Sequence, residues 1–165
     1  MATPDAARPR VYLETSVLSY LTARPSRDVV RIAHQQITAE WWVAREAFEL
    51  FLSDVVLDEI RQGDAGAAER RIEASTGLLV LTTTPSAENL AASLLSAAAL
   101  PARAALDALH VANAAIHGMH FLLTWNCAHI ANAAMRPRIE TVCRSGGYEP
   151  PIICTPEELQ TWGKQ

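Results

Sequence analysis

Five short apolar runs constrain the fold of this chain more than any other feature of its sequence. They are RVYLE at 10–14, LFLS at 50–53, LLVLT at 78–82, HFLLT at 120–124 and PIIC at 151–154. None of them alternates apolar with polar residues, and uninterrupted runs of this length are typical of strands that are buried on both faces. We therefore predict a parallel sheet that is covered by helices.

Segments with helical periodicity separate these runs. The longest, residues 27–49, repeats apolar side chains at helical spacing from Val30 to Phe48, and Ser26 is available as its N-cap. Further helices are predicted at 54–62, 86–98, 102–117 and 128–135. Because strands and helices alternate and crossovers are right-handed, the pattern predicts an α/β fold, a three-layer α/β/α sandwich with four or five parallel strands.

Length and composition predict one domain. The chain has 165 residues, of which 50% are hydrophobic and 19% charged, enough to bury a core without disulfides or a structural metal. We expect the domain to span 1–165, with a flexible N-terminal tail at 1–8 and a C-terminal tail or short helix at 156–165. The net charge of −4 argues against nonspecific coating of nucleic acids.

The cysteines and the uncharged stretches bear on where the protein works. Cys127, Cys143 and Cys154 are odd in number and contain no Cys-x-x-Cys pair, and the first residues show no apolar signal core. Residues 108–135 lack Asp, Glu, Lys and Arg but contain four histidines and three asparagines, so they do not form a bilayer helix. We expect a cytoplasmic protein with reduced thiols and no membrane association.

Polar residues, several of them acidic, follow the predicted strands. Strand one ends in Glu14-Thr15-Ser16, strand two leads into a helix that carries Asp54, Asp58 and Glu59, and strand four ends in Thr124-Trp125-Asn126. Open α/β sheets bind ligands at the carboxyl ends of their strands. Neither GxGxxG nor GxxxxGK[ST] occurs, which argues against a dinucleotide or a P-loop site.

Two carboxylates on helices are candidates for the same cleft. Glu59 borders the apolar face of its helix while Asp58 points away, and Asp107 lies near the positive end of helix 102–117. Converging carboxylates favour a site for Mg²⁺ or Mn²⁺, which take hard oxygen ligands. Each acid also has a structural alternative, since Glu14 could cap a turn, Glu59 could pair with an arginine and Asp107 could bond to Arg103.

Four blocks of the sequence resemble one family over nearly the whole chain. They are VYLETSVLSYL, SDVVLDEI, LDALHVANAAIHGMHFLLTWNCAHIANA and PIICTPEEL. Together they resemble the PIN domain, specifically the VapC-like toxins of type II toxin–antitoxin pairs, and the block at 106–133 is the most specific. The resemblance implies a sheet of order 3-2-1-4-5 and a metal-dependent endoribonuclease that hydrolyses single-stranded RNA and leaves a 5′-phosphate.

The resemblance also implies the site. Its pattern of acids matches Glu14, Glu59, Asp107 and Asn126 as catalytic residues, with Glu14, Asp107 and Asn126 on the metal. On the substrate side it implies Ser16 and Thr124, whose hydroxyls orient a neighbouring ligand. His129, three residues after Asn126, could touch a substrate phosphate or simply cap or pad helix 128–135. The implied partners are the RNA substrate, an antitoxin protein and a second copy in a homodimer.

Two departures from the family pattern matter. The first acid is commonly Asp, whereas Glu14 reaches one methylene further, and the last position holds the neutral Asn126. Three carboxylates instead of four should weaken a second metal more than the first. Asn126 also leaves open the alternative of a catalytically weak PIN-like module that binds RNA or a protein without cutting.

Other residues have both a functional and a structural interpretation. Trp125 could stack on a base but more often such a residue is core, and His110 is most simply a satisfied interior histidine. Only one of Trp41 and Trp42 can face the core, and the other suggests an interface if it is exposed. Two arginine groups are the expected places for RNA backbone contacts, namely Arg24, Arg27 and Arg31, and Arg136, Arg138 and Arg144.

Overall fold

The computed structural model describes residues 7–162 and contains five parallel strands. The strands are β1 (Arg10–Leu13), β2 (Glu49–Ser53), β3 (Leu79–Leu81), β4 (Phe121–Leu123) and β5 (Ile152–Cys154). The helices are α1 (Thr15–Thr22), α2 (Val29–Val43), α3 (Asp54–Ile60), α4 (Ala65–Ser75), α5 (Pro85–Ser96), α6 (Ala105–Ile116), α7 (Arg136–Ser145) and α8 (Pro156–Leu159). The predicted five apolar runs thus all form strands.

The order of the strands is β3-β2-β1-β4-β5, which confirms the predicted parallel sheet and its 3-2-1-4-5 order. β1 lies in the centre, where Tyr12 is in register with Phe51 of β2 and Leu122 of β4. The chain adds β2 and β3 on one side of β1 and then adds β4 and β5 on the other side, so the strand order reverses between β1 and β4. The carboxyl ends of β1, β2 and β4 therefore lie next to each other at the switch point.

Alternate side chains of β1 enter two different cores. Val11 and Leu13 pack with Trp41 of α2 on one face of the sheet, while Tyr12 packs on the other face with helices that include α5 and α6. Because both faces are buried, neither set of strand positions is polar. This explains the absence of alternation in the apolar runs and confirms the three-layer sandwich.

The alanines of α5 and α6 lie in the contact between these two helices and the core. Ala87 and Ala91 of α5 and Ala108 and Ala112 of α6 are all buried. Small side chains allow helices to approach closely. The alanine-rich stretch is therefore a packing feature.

The long predicted helix at 27–49 is too long at both ends. α2 spans Val29–Val43, and its N-cap is Asp28, whose carboxylate accepts a hydrogen bond from the Arg31 N–H at 2.9 Å, rather than Ser26. A 3₁₀ turn at Arg45–Ala47 follows, and Phe48 is buried just before β2. Apolar spacing continued through a turn and into a strand, so periodicity alone could not locate the end of the helix.

Three helical segments differ from the prediction. Residues 128–135 were predicted as a helix but form consecutive turns, and the helix here is α7, which begins at Arg136. α1 and α4 were not predicted. α1 starts only two residues after β1 ends, and α4 has a single buried residue, Ala68, so neither gives a separate amphipathic signal.

The ends of the chain lie partly outside the described residues. Of the tails expected at 1–8 and 156–165, residues 1–6 and 163–165 are not described, and the short helix α8 begins at Pro156. The three cysteines are free thiols, with Cys143 and Cys154 buried. Between residues 7 and 162 no helix is long and apolar enough to cross a membrane.

Candidate active site

The carboxyl ends of β1 and β4 bring most of the predicted site residues together. Glu14 follows β1 directly and occupies the N-cap position of α1, while Thr124 and Asn126 follow β4. Glu59 projects from α3 and Asp107 from the first turn of α6. Hydrogen bonds join these side chains into two groups, one that contains Glu14, Asn126 and Asp107 and one that contains Glu59.

Glu14 is held by two hydroxyl groups. Its carboxylate is 6% exposed, and its Oε2 accepts hydrogen bonds from Ser16 Oγ and from Thr124 Oγ1, the latter at 2.7 Å. Each hydroxyl also accepts a backbone N–H, that of Trp125 for Ser16 and that of Asn126 for Thr124. The carboxylate therefore has a fixed direction, and no described residue donates to its Oε1.

Asp107 is joined to the segment that follows β4. Asn126 Nδ2 donates to Asp107 Oδ1 at 3.0 Å, and His129 Nδ1 lies 2.7 Å from Asp107 Oδ2. Asn126 Oδ1 accepts the His129 backbone N–H at 3.1 Å. The imidazole of His129 thus pairs with a carboxylate from a turn, instead of capping or padding a helix at 128–135.

Glu59 belongs to a buried chain of polar groups. Its Oε2 lies 2.5 Å from Thr15 Oγ1 and 2.7 Å from His110 Nε2, and His110 Nδ1 lies 2.8 Å from the Tyr12 hydroxyl, which reaches Ser53 Oγ at 2.7 Å. Tyr12, Ser53 and His110 are almost completely buried. Since Thr15 follows Glu14 in the chain, this second group adjoins the first.

The proton affinities of Glu59 and His110 shift in opposite directions. Burial raises the pKa of Glu59, but the hydrogen bond and charge of His110, together with the Thr15 hydroxyl, outweigh it and hold that pKa below its usual value. Burial lowers the pKa of His110, yet the bond to Glu59 and the charges of Glu14, Glu59 and Asp107 raise it above its usual value. Both shifts favour an ion pair.

Asp54 and Asp58 have surroundings that separate them from this cleft. Both oxygens of Asp54 accept from Thr83, whose hydroxyl also accepts from Asn113 of α6 at 2.9 Å. Burial raises the pKa of Asp54, but the Thr83 bonds lower it more. Asp58 is exposed and pairs with Arg61 at 3.4 Å. Of the three acids predicted after β2, only Glu59 reaches the network.

Sequence reasoning missed Thr15, Tyr12 and Ser53 and assigned His110 only an interior role. His110 is indeed an interior histidine, and it also contacts Glu59. One signal was available, because His110 follows Asp107 by three residues and helical residues at that spacing share a face. Nothing local predicts Tyr12, which looks like any other apolar strand residue until the sheet register is known.

The oxygen-rich cleft has the donor set that a divalent cation takes. Within residues 7–162 no Arg or Lys forms an ion pair with Glu14, Glu59 or Asp107, and the ring nitrogens that contact Glu59 and Asp107 belong to His110 and His129. Carboxylate and amide oxygens suit Mg²⁺ or Mn²⁺. The same described residues contain no group of three or more His, Cys, Asp and Glu side chains arranged to hold an ion, so such a site would have to include Asn126 or adjust on binding.

Comparisons with known proteins identify the fold. No family model matches the sequence, and no curated protein sequence is similar to it. Two solved structures align with the chain. One is VapBC2 from Rickettsia felis bound to a DNA fragment from its promoter, at 14% identity and a TM-score of 0.54, with 88% of this chain and 98% of the other covered.

The second is VapC20 from Mycobacterium tuberculosis, described as a sarcin–ricin loop cleaving toxin. It aligns at 20% identity with a TM-score of 0.53, over 68% of this chain and 86% of the other. The sheet order is the same as that which the resemblance implied. The chain therefore has the PIN-like fold of VapC toxins.

Proposed function

We propose that this chain is a metal-dependent endoribonuclease that hydrolyses phosphodiester bonds of single-stranded RNA, and that it is the toxin of a toxin–antitoxin pair. One observation supports this most directly: at the carboxyl ends of β1 and β4, hydrogen bonds connect Glu14 through Thr124 and Asn126 to Asp107, in a sheet with the fold of VapC toxins. A similar structure carries the description of an RNA-cleaving toxin. The surroundings of the three carboxylates suit nuclease chemistry.

In this proposal Glu14, Asp107 and Asn126 hold Mg²⁺ or Mn²⁺, and Glu59 is the fourth catalytic residue. When bound, such an ion would activate water for attack on the phosphodiester and offset the charge that develops on the phosphoryl oxygens. Glu14 offers Oε1, to which no described residue donates. Each carboxylate oxygen of Asp107 accepts one hydrogen bond, from Asn126 or His129, and keeps a second lone pair for a metal ion.

The three residues expected on the substrate side divide into two roles. The hydroxyls of Ser16 and Thr124 each donate to Glu14 and accept a backbone N–H, so we propose that they orient Glu14 rather than contact RNA. His129 uses Nδ1 on Asp107, and no described residue contacts its Nε2. Among Ser16, Thr124 and His129, we therefore propose that His129 approaches a substrate phosphate, through its Nε2.

The proposal extends to partners and location. Since one similar structure is a VapBC2 assembly, we propose an antitoxin partner, and we propose a homodimer and a cytoplasmic location as well. Trp42, expected as an interface residue if exposed, is half-buried under the Arg45 guanidinium, whose carbon lies 4.8 Å from the ring centroid. The exposed large apolar side chains of α2 are instead Val29, Val30, Ile32 and Val43.

Incubation of the purified chain with single-stranded RNA tests the proposal. We expect cleavage with Mg²⁺ or Mn²⁺, arrest by chelator, and 5′-phosphate ends. Glu59→Gln should abolish cleavage, whereas Asp58→Asn, which changes the adjacent exposed carboxylate, should leave it unchanged. Intact RNA with both metals, or equal activity of the two variants, would reject the assignment.

A binding module without cleavage is the second candidate. It is favoured by Asn126, whose two amide atoms are both engaged within the protein, with Asp107 and with the His129 backbone. An amide in this state is a weaker metal ligand than a free carboxylate. The same experiment distinguishes the two functions, because a module binds RNA or a protein while the RNA remains intact.

A further inference from the structure

Two adjoining cavities lie outside the catalytic cleft, between α1, α2 and α4. Their volumes are about 300 and 350 Å³, and they share Ser19, Ala23 and Arg24 in their walls. Arg31 lines the first cavity, and Arg70 and Arg71 line the second. We call the continuous depression the arginine groove, after Arg24, Arg31, Arg70 and Arg71.

The charge of this groove is opposite to that of the chain. The chain carries a net charge of −4, whereas the groove has four arginines and one carboxylate, Asp64. Asp64 is engaged as the N-cap of α4, where it accepts the Ala67 N–H at 2.8 Å. A concentration of arginine in an acidic protein attracts anions locally.

Two of the guanidinium groups are unpaired and two are anchored. Arg24 and Arg31 are exposed and form no ion pair with a described residue. Arg70 Nε donates to the Thr22 carbonyl at 2.9 Å, and Arg71 donates to the carbonyls of Ile60 and Gln62. The anchored pair fixes the wall of the groove, and the free pair is available for a ligand.

The loop that carries Arg24 is held in place by Gln35 of α2. Gln35 Nε2 donates to the Arg24 carbonyl at 2.8 Å, and its Oε1 accepts the Ser26 N–H at 3.0 Å. The amide therefore ties the α1–α2 loop to the helix at two points. A preorganised loop loses less conformational freedom when a ligand binds.

Aromatic side chains lie between the arginine groove and the cleft, with Tyr20 partly exposed and Trp125 buried. Tyr20 lines the groove, and its ring centroid lies 5.3 Å from that of His34 and 6.1 Å from that of Trp125. Trp125 stacks on His34 at 3.9 Å, and its backbone N–H donates to Ser16, the partner of Glu14. α1 starts at the cleft and ends at the groove, a length of about 12 Å for its eight residues.

We propose that the arginine groove binds the sugar–phosphate backbone of single-stranded RNA and directs the strand past Tyr20 to the catalytic cleft. The inference rests on the proposed function, which it extends with a substrate-binding surface. Single-stranded nucleic acids are bound by positive grooves with adjacent aromatic rings. Guanidinium groups bind phosphate oxygens in a bidentate manner.

The second group of arginines, Arg136, Arg138 and Arg144, does not form a comparable patch of unpaired positive charge. Arg144 pairs with Glu140 at 3.4 Å and Glu149 at 3.3 Å, and Arg136 pairs with Glu158 at 3.7 Å. Neighbouring carboxylates thus offset the charges of Arg136 and Arg144, and Arg138 donates to the Ala98 carbonyl at 3.4 Å. The double variant Arg138→Gln/Arg144→Gln makes the same change in net charge as Arg24→Gln/Arg31→Gln, and it serves as the matched control.

The test is binding of a fluorescent single-stranded RNA of mixed sequence to the full chain in chelator, which prevents cleavage. Each phosphate contact on a single strand contributes about 0.7 to the slope of log affinity against log salt. Arg24→Gln/Arg31→Gln should flatten this slope by about 1.4 and weaken binding at low salt. Between about 50 mM and about 200 mM salt the parent should therefore lose about sevenfold more affinity than the variant. The control variant should behave as the parent.

Unchanged affinity and slope for Arg24→Gln/Arg31→Gln would overturn the assignment, as would an equal loss in the control. Loss of acidic-peptide binding in this variant, with RNA binding intact, would assign the groove to a protein segment and also overturn it. RNA binding that depends on these arginines, in a chain that cleaves with neither Mg²⁺ nor Mn²⁺, would support the groove while rejecting the nuclease. No RNA binding by the parent chain would reject the groove, and it would reject the nuclease as well only if the RNA also stayed intact with Mg²⁺ and Mn²⁺.

Discussion

Replacing Asn126 with Asp tests how far the hydrogen bond from Asn126 to Asp107 stabilises the cleft when no metal is bound. Asn126 Nδ2 donates to Asp107 Oδ1 at 3.0 Å, and a carboxylate at this position would remove the donor and place like charges together. A hydrogen bond to a charged acceptor contributes about 1.5–3 kcal/mol. Two like charges about 4 Å apart near a protein surface repel by about 4 kcal/mol.

These effects are reduced in the cleft, because Asp107 retains about a fifth of its side-chain exposure and one carboxyl group can take up a proton. We therefore expect Asn126→Asp to destabilise the metal-free protein by about 2–4 kcal/mol at pH 7. For a chain of this length that corresponds to roughly 4–16 °C in Tm. The loss should shrink at acidic pH, where protonation of the introduced carboxyl group relieves the repulsion.

Mn²⁺ should narrow the difference in stability between the variant and the parent. An added carboxylate attracts a divalent cation, and a ligand stabilises the folded state in proportion to the logarithm of its concentration relative to its Kd. Calorimetric titration should show tighter Mn²⁺ binding by Asn126→Asp, and thermal melting should show a larger upward shift with the metal than the parent shows.

Asn132→Asp provides the control for this substitution. Asn132 Nδ2 donates only to backbone carbonyls, those of Cys127 at 3.3 Å and Ala128 at 3.5 Å. The identical chemical change there should cost less than about 1 kcal/mol, because these bonds are long and neutral. If both variants melt alike without metal and bind Mn²⁺ alike, Asn126 neither supports Asp107 nor faces an ion, and the reasoning fails.

Three further predictions concern the surroundings of the cleft. Asp107→Asn should abolish cleavage while chemical denaturation shows a loss of only about 1–2 kcal/mol, since an amide can keep part of the bonding; full activity would remove this residue from the mechanism. The His110–Glu59 pair should stabilise the parent relative to His110→Gln most strongly between about pH 4.5 and about pH 6.5. This advantage should decline as the pH rises through the elevated pKa of His110 and as it falls through the lowered pKa of Glu59. An advantage in urea unfolding that does not depend on pH would exclude the ion pair. Thr38→Val should cost about 1–3 kcal/mol in the same assay, because it removes the 2.7 Å partner of Trp125 Nε1, and a cost near zero would mean that the indole finds another partner.

The sheet could be predicted from the sequence because its signal is local. Each apolar run is long enough and sufficiently free of polar residues to identify a strand buried on both faces. Helix ends were less predictable where apolar spacing continued beyond the helix, as at Phe48, which belongs to the approach to β2. The position of α7 was missed because His129 and its neighbours are fixed by bonds to Asp107 and Asn126, which are tertiary contacts.

The acids of the candidate site could be proposed from the sequence, but their hydrogen-bonding partners could not. Glu14, Glu59 and Asp107 follow from strand ends and helix faces together with the resemblance to PIN domains. The connection of Glu59 through His110 to Tyr12 depends on which face of β1 meets α6. That pairing is set by the register of distant strands, and no spacing in the sequence encodes it.

The departure at Glu14 is consistent with the residues around it. A glutamate at the end of β1 reaches one methylene further than the aspartate common in the family, which could displace a bound ion. Here Ser16 and Thr124 both donate to Oε2 of this buried carboxylate, so its direction is set by two groups that are themselves fixed by backbone N–H bonds. An aspartate carboxylate would end one methylene short of the place where Glu14 accepts these two bonds. The longer acid and its two hydroxyl partners therefore form one unit, in which the added length is used to orient the carboxylate.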